Sequence, residues 1–260
     1  MNPRSSESQP LKILIADDSG FVRGKVVEFA KLAPIPIQFM ETDNGKDCLN
    51  ALTQGVYQIA FIDVFMPQLN GLEALARSRQ DGNDTFVVLM SSVVDQERFK
   101  IARALNAYDY LTKPFKPEDI INIINNYLLF QRRSSVLIVD DSSTVRKLVS
   151  KVIDGSIFNL VSEEAENGEE ALAKYRDRKH DVVFLDVNMP GMDGIEVLRQ
   201  LKKIEPGVRI VLISGEKSEN MNEKISSLGK PHFLNKPFNA RDVDRILHEV
   251  FKIRASALAV

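Results

Sequence analysis

This chain writes the same text twice, 123 residues apart. Leu14-Ile15-Ala16-Asp17-Asp18-Ser19 returns as Leu137-Ile138-Val139-Asp140-Asp141-Ser142, and Phe61-Ile62-Asp63-Val64 as Phe184-Leu185-Asp186-Val187. Met66-Pro67 returns as Met189-Pro190, Ser91 as Ser214, and Lys113-Pro114-Phe115 as Lys236-Pro237-Phe238. A constant offset leaves no net insertion between the motifs. A period this long is a duplicated whole domain rather than a solenoid repeat, so the 260 residues divide into two domains of roughly 125 residues, each large enough to bury its own core.

Residues 1–10 are polar and read as a disordered leader, residues 11–132 as the first domain, 133–254 as the second and 255–260 as a tail. The stretch Lys252–Val260 is expected to extend the final helix. At the junction a helix from about Pro117 to Gln131 runs into Arg132-Arg133-Ser134-Ser135 and the next strand, with no Gly/Pro-rich linker. Limited freedom between the domains is the expectation.

Within each domain short apolar runs alternate with helix-period stretches. In the first half the runs are Lys12–Ala16, Ile37–Glu41, Ile59–Ile62, Val87–Met90 and Tyr108–Leu111; in the second they are Ser135–Val139, Leu160–Ala165, Val182–Leu185, Ile210–Ile213 and His232–Leu234. The central runs are apolar on both faces, as strands of a parallel sheet covered by helices are. Five strand–helix units in order predict an α/β class, a doubly wound five-stranded parallel sheet in each domain.

Charge narrows the function classes. The net charge is -2, with 14 basic against 16 acidic residues in 1–132 and 20 against 20 in 133–260. That balance offers no basic surface for nucleic acid or an anionic membrane. One cysteine, Cys48, excludes an internal disulfide and suits a reducing compartment; on an amphipathic helix it reads as a small buried side chain. Neither a signal peptide nor an apolar run of membrane-spanning length is seen, so a soluble, cytoplasmic protein is expected.

In an open parallel sheet, ligands bind beyond the carboxyl ends of the strands. Asp17 and Asp18 follow the first run, Asp63 the third, Ser91 the fourth and Lys113 the fifth, so all converge on one sheet edge. Asp140, Asp141, Asp186, Ser214 and Lys236 do so in the second domain. Any one Asp at a strand end is ordinarily a helix cap or a solvated loop residue; the whole set, twice in the same order and spacing, favours a site. Three clustered carboxylates stay ionised only beside a compensating cation. Oxygen donors with room for water suit Mg²⁺, which also shares phosphoryl oxygens. Lys113 and Lys236 add a point charge, Ser91 and Ser214 a hydroxyl, and an Asp is a possible covalent acceptor.

With these residues in view, both halves resemble the receiver domains of two-component response regulators, similar to the single-domain chemotaxis regulator. The resemblance runs from about Lys12 to Phe251. It implies flavodoxin-like domains in tandem, without an effector domain. It implies a sensor histidine kinase or a histidine phosphotransfer protein as donor to Asp63 and Asp186. It implies Mg²⁺ held by Asp18, Asp63, Asp17 and the carbonyl of Phe65, and by Asp141, Asp186, Asp140 and the carbonyl of Asn188. The bonds 113–114 and 236–237 are then cis, which proline makes accessible. Ser91 with Tyr110, and Ser214 with Phe233, are the implied switch pairs; plain core packing is the alternative for both aromatics.

The halves differ beside the acceptor. The second has Asn188 two residues after Asp186 and Glu216 two after Ser214; the first has Phe65 and Val93. Polar groups there orient an attacking water and apolar ones exclude it, so phospho-Asp63 is expected to outlive phospho-Asp186; hindered donor access is the competing reading of Phe65. An Asp-nucleophile phosphatase is set aside, since it needs a second Asp where Phe65 and Asn188 stand.

The leading expectation is a tandem receiver that signals through phosphorylation-dependent protein contacts to an unknown downstream protein, on the fourth helix, fifth strand and fifth helix of either domain. It performs phosphorylation and dephosphorylation on itself and turns over no external substrate. A phosphorylation-dependent dimer is compatible with the resemblance. Alternatives are a phosphate sink or relay, and the regulatory part of a longer effector such as a diguanylate cyclase.

Overall fold

The computed structural model describes residues 9–93, 95–215, 230–253 and 258. The chain separates into two units, residues 1–128 with 255–260, and residues 129–254. Most of the leader, and all but Lys252, Ile253 and Leu258 of the stretch after Phe251, lie outside the described residues.

The first unit runs β1 (Leu11–Ala16), α1 (Gly20–Ala30), β2 (Ile37–Thr42), α2 (Gly45–Gln54), β3 (Ile59–Asp63), α3 (Gly71–Gln80), β4 (Phe86–Ser91), α4 (Gln96–Ala104), β5 (Asp109–Thr112) and α5 (Pro117–Gln131), the last crossing the division between the units. The second carries β6 (Ser134–Val139), α6 (Ser143–Asp154), β7 (Leu160–Ala165), α7 (Gly168–Asp177), β8 (Val182–Asp186), α8 (Gly194–Ile204), β9 (Arg209–Ser214), β10 (His232–Asn235) and α9 (Ala240–Val250). All strands are parallel, in the orders β2-β1-β3-β4-β5 and β7-β6-β8-β9-β10.

Strand alternation divides the apolar residues between two faces. In the first unit Ile13, Ile15, Phe61, Val88 and Met90 pack against Val26 and Ala30 of α1 and Ile120 and Ile124 of α5. Leu14, Ala60, Ile62, Val87 and Leu89 face Cys48 and Leu52 of α2, Leu75 of α3 and Ala102 of α4. The second unit packs Leu137, Val183, Leu185, Ile210 and Leu212 against Leu172 of α7 and Leu198 and Leu201 of α8. Each fully buried Leu or Ile contributes about 1.5–3 kcal/mol. Cys48 is buried as expected, and burial pushes its thiol up to about 12.

Local chemistry sets the helix starts. Asn44 and Asn167 cap α2 and α7 through side-chain oxygens that accept from Asp47 N–H and Glu170 N–H, both at 2.9 Å. One expectation fails: the last helix does not run on through Lys252. α9 ends at Val250, and Lys252 turns left-handed with φ 56°, a conformation that breaks helical hydrogen bonding.

Candidate functional site

The chain leaves β1 at Asp17, whose carboxylate is fully buried. Its Oδ1 accepts Ser19 N–H at 3.0 Å, and its backbone carbonyl accepts Arg23 Nη1 at 2.8 Å. Arg23 Nε in turn meets Glu41 of β2 at 3.1 Å. The second domain repeats each bond: Ser142 N–H to Asp140 Oδ1 at 2.8 Å, Arg146 Nη1 to the Asp140 carbonyl at 2.7 Å, and Arg146 Nε to Glu164 at 2.8 Å. These arginines aim the first aspartate by holding its main chain.

Asp63 is the last residue of β3, and α3 begins hard against it. A Cβ on Gly71 would stand 2.0 Å from the Asp63 carbonyl oxygen, and one on Gly194 would stand 2.1 Å from that of Asp186. Only glycine permits this approach, which lets Gly71 N–H reach the Val64 carbonyl at 2.9 Å and Gly194 N–H that of Val187 at 3.0 Å.

Lys113 closes the cluster from the end of β5. Its N–H donates to the Ser91 carbonyl at 2.8 Å, and the bond to Pro114 is cis. The ammonium lies 2.6 Å from Asp17 Oδ2 and 3.0 Å from Asp63 Oδ1. In the second domain the Lys236–Pro237 bond is also cis, Lys236 N–H meets the Ser214 carbonyl at 2.7 Å, and Nζ stands 3.0 Å from both Asp140 and Asp186.

Asp17, Asp18 and Asp63 each bring a carboxylate oxygen within 4.8 Å of the others, and Asp140, Asp141 and Asp186 match them. In each cluster two carboxylates are buried and the third, Asp18 or Asp141, is exposed. Burial pushes Asp63 above the ordinary Asp value; the Lys113 bond pulls it down, Asp17 pushes it up again, and the net direction is upward. Asp186 is raised in the same way, with Asp140 and Lys236 in those parts. Burial works to lower Lys113 and Lys236, but their bonds to paired carboxylates outweigh it and hold both above the ordinary Lys value. Oxygen donors, an open side for water and more negative charge than one lysine balances are what a hard divalent cation fits.

Ser91 is fully buried and its Oγ accepts Val93 N–H at 3.1 Å; Ser214 is buried at the matching place. Tyr110 is buried, donates its hydroxyl to the Val93 carbonyl at 3.2 Å and meets Phe99 edge-on at 4.6 Å. Phe233 is partly buried against the second core. At the rim Phe65 is 45% and Val93 46% exposed, and Asn188 is exposed. Glu216 lies outside the described residues. The residues expected at the acceptor are thus brought together twice. Arg23, Arg146, Gly71 and Gly194 were not among the expectations, though the same offset of 123 marks them in the sequence.

Known proteins resemble this chain in sequence and fold. The model of the response regulator receiver domain matches residues 13–125 and again 136–248. The chemotaxis protein CheY of Listeria monocytogenes is 38% identical over 117 residues, 45% of this chain and 95% of that protein. CheY of Bacillus subtilis is 36% identical over 117 residues, covering 45% and 94%. The structure of a two-component system response regulator/GGDEF domain protein superposes with a TM-score of 0.63 over 93% of this chain and 98% of its own, at 22% identity, a likeness of fold. No helix of the described residues is long and apolar enough to cross a membrane. Two centres that repeat the same three carboxylates, serine and lysine, and a family model that matches both halves, place the chain in the response regulator receiver family, twice over in tandem.

Proposed function

We propose that the chain is a tandem-receiver response regulator that accepts phosphoryl groups on Asp63 and Asp186 and signals through phosphorylation-dependent protein contacts. The observation that carries this reading is the shared lysine: one ammonium holds the acceptor and the first aspartate at 3.0 Å or less in both domains. In the step itself a carboxylate oxygen of Asp63 attacks phosphorus, and the P–N bond to a donor histidine breaks. The imidazole nitrogen leaves with the electron pair and takes a proton from water. Lys113 and the Ser91 hydroxyl are placed to offset charge on the transferred oxygens. Asp17, Asp18 and Asp63 with the Phe65 carbonyl, and Asp140, Asp141 and Asp186 with the Asn188 carbonyl, are the groups that would hold Mg²⁺. When bound, Mg²⁺ supplies charge neutralisation at the phosphoryl oxygens.

The donor in this reading is a sensor histidine kinase or a histidine phosphotransfer protein, and no external substrate is turned over. A second reading, the regulatory part of a longer effector, is compatible with the fold likeness to the response regulator/GGDEF domain protein. The test of the acceptors is phosphorylation by a small phosphodonor with Mg²⁺, followed by intact mass. The wild-type chain should gain two phosphoryl groups, and Asp63→Asn and Asp186→Asn one each. Undiminished gain in the double variant would place the chemistry elsewhere.

A further inference from the structure

The Phe65 ring of the first domain is half exposed and yet held. Its backbone N–H faces the Asp63 carboxylate and works to lower that carboxyl's pKa. Its ring lies under Arg98 of α4, the guanidinium carbon 4.5 Å from the ring centroid. Arg98 is itself tied to Asp95 at 3.6 Å. Asp95 caps α4 by accepting Glu97 N–H at 2.9 Å. Leu72 and Ile101 complete the cleft that the ring borders. An aromatic ring on a fixed main chain turns freely unless something grips its face, and a cation stacked on it is such a grip.

We propose that Arg98 is a positioning residue for the first domain. It pins the Phe65 ring as a stationary apolar wall at the rim of the Asp63 site and so lengthens the life of the phosphoryl group there by limiting the approach of water. The inference rests on the proposed function and deepens it. It concerns one domain only: 123 positions on, the matching residues are Asn188 and Met221, which offer neither a ring nor a cation.

The competing routes for Arg98 are its charge alone and its hold on the start of α4, and the variants separate both from the grip on the ring. In the full chain carrying Asp186→Asn, Asp63 is phosphorylated with phosphoramidate and Mg²⁺, and the decay is followed by intact mass. Arg98→Gln should shorten the half-life of phospho-Asp63 about two- to fivefold, the factor carried by a cation–π contact at an exposed site. Arg98→Met should do the same, and Arg98→Lys should fall between these and the parent. Phe65→Asn should shorten the half-life further, and adding Arg98→Gln to Phe65→Asn should change nothing more. A parent-like half-life in Arg98→Gln, or an equal shortening with and without the Phe65 ring, would overturn the inference while leaving the acceptor reading intact. If the Asp186→Asn parent takes up no phosphoryl group, the acceptor reading of Asp63 fails, and the role of Arg98 fails with it.

Discussion

In the first domain Lys113 stands 2.6 Å from Asp17 and 3.0 Å from Asp63; in the second Lys236 stands 3.0 Å from both of its partners. Around that shared centre the arginine that holds the first aspartate, the glycine under the acceptor and the cis proline all recur. At the rim the domains part: Phe65 under Arg98 in one, an exposed Asn188 in the other. Buried like charges must be compensated in one geometry, so the centre tolerates little change. The rim residues are exposed and carry no such burden, so they are free to differ.

A second divergence sits away from the acceptor. Arg79, near the end of α3, donates to the carbonyls of Asn83 at 2.7 Å, Thr85 at 2.8 Å and Leu105 at 3.1 Å, which ties the end of α4 to α3. The matching residue of the second domain is Lys202, which reaches the Pro206 and Val208 carbonyls at 3.1 and 2.9 Å. Burial lowers both cations from their ordinary values. The guanidinium fork spans two loops where the ammonium serves one.

Removing the metal tests the shared centre and should have the largest effect. Chelation is expected to slow phosphorylation of both acceptors by on the order of 100-fold or more, as loss of a major charge stabiliser does. The two domains should respond alike, and survival of one would break the likeness. The pH dependence has a definite sign. A raised folded pKa means that ionised Asp63 and Asp186 oppose folding; the stabilising share of each is fully present below its unfolded pKa and is lost as pH rises through the folded value. Metal binding needs the ionised form, so on acidification affinity for Mg²⁺ should begin to fall at a higher pH than an ordinary Asp would dictate. Calorimetric titration of Mg²⁺ across the acid range checks this, and a fall beginning only at ordinary Asp values would count against it.

Next in size is the α3 tie. Arg79→Gln should destabilise the first domain by about 2–3 kcal/mol, since it removes charge-assisted bonds to three part-buried carbonyls, and Lys202→Gln the second by about 1 kcal/mol. Domain-resolved hydrogen exchange reads the two separately; equal losses would erase the distinction. The rim exchange should be smaller. Phe65→Asn and Asn188→Phe should shift the two phosphoryl lifetimes toward each other by about tenfold, or about 1.4 kcal/mol of barrier. Unchanged decay curves would show that the rim does not set lifetime.

The smallest effect concerns one turn. Gln68 holds φ 68° where the second domain has Gly191 at φ 79°. Gln68→Gly should stabilise the first domain by about 0.5–1 kcal/mol, because the relief of left-handed strain exceeds the added freedom of the unfolded chain. A lower urea midpoint would refute that.

Much of this is legible in the sequence. Apolar runs such as Val87–Met90 announced buried parallel strands, and the acidic, hydroxyl and lysine residues at their ends announced the site, because a parallel sheet delivers those ends to one edge. The rest was not legible for particular reasons. Arg98 carries no motif and no repeat partner of its own type, and its stacking on Phe65 depends on how α4 packs. Arg79 stands at a helix end, where a cation needs no further partner, and only the closure of two loops around it makes it a tie. The helical extension through Lys252 was misjudged because the turn that ends α9 carries no glycine or proline.

By itself the sequence determined the duplication, the parallel α/β class and the identity of the five polar groups that gather at the sheet edge in each domain. Local periodicity and strand-end position are encoded within each segment. Only the tertiary structure decided which two carboxylates share a lysine, one of them 96 residues away along the chain, which arginine holds the aspartate's main chain, and which ring is gripped at the rim. Those pairings join elements distant along the chain, and packing, not pattern, sets the distance between them.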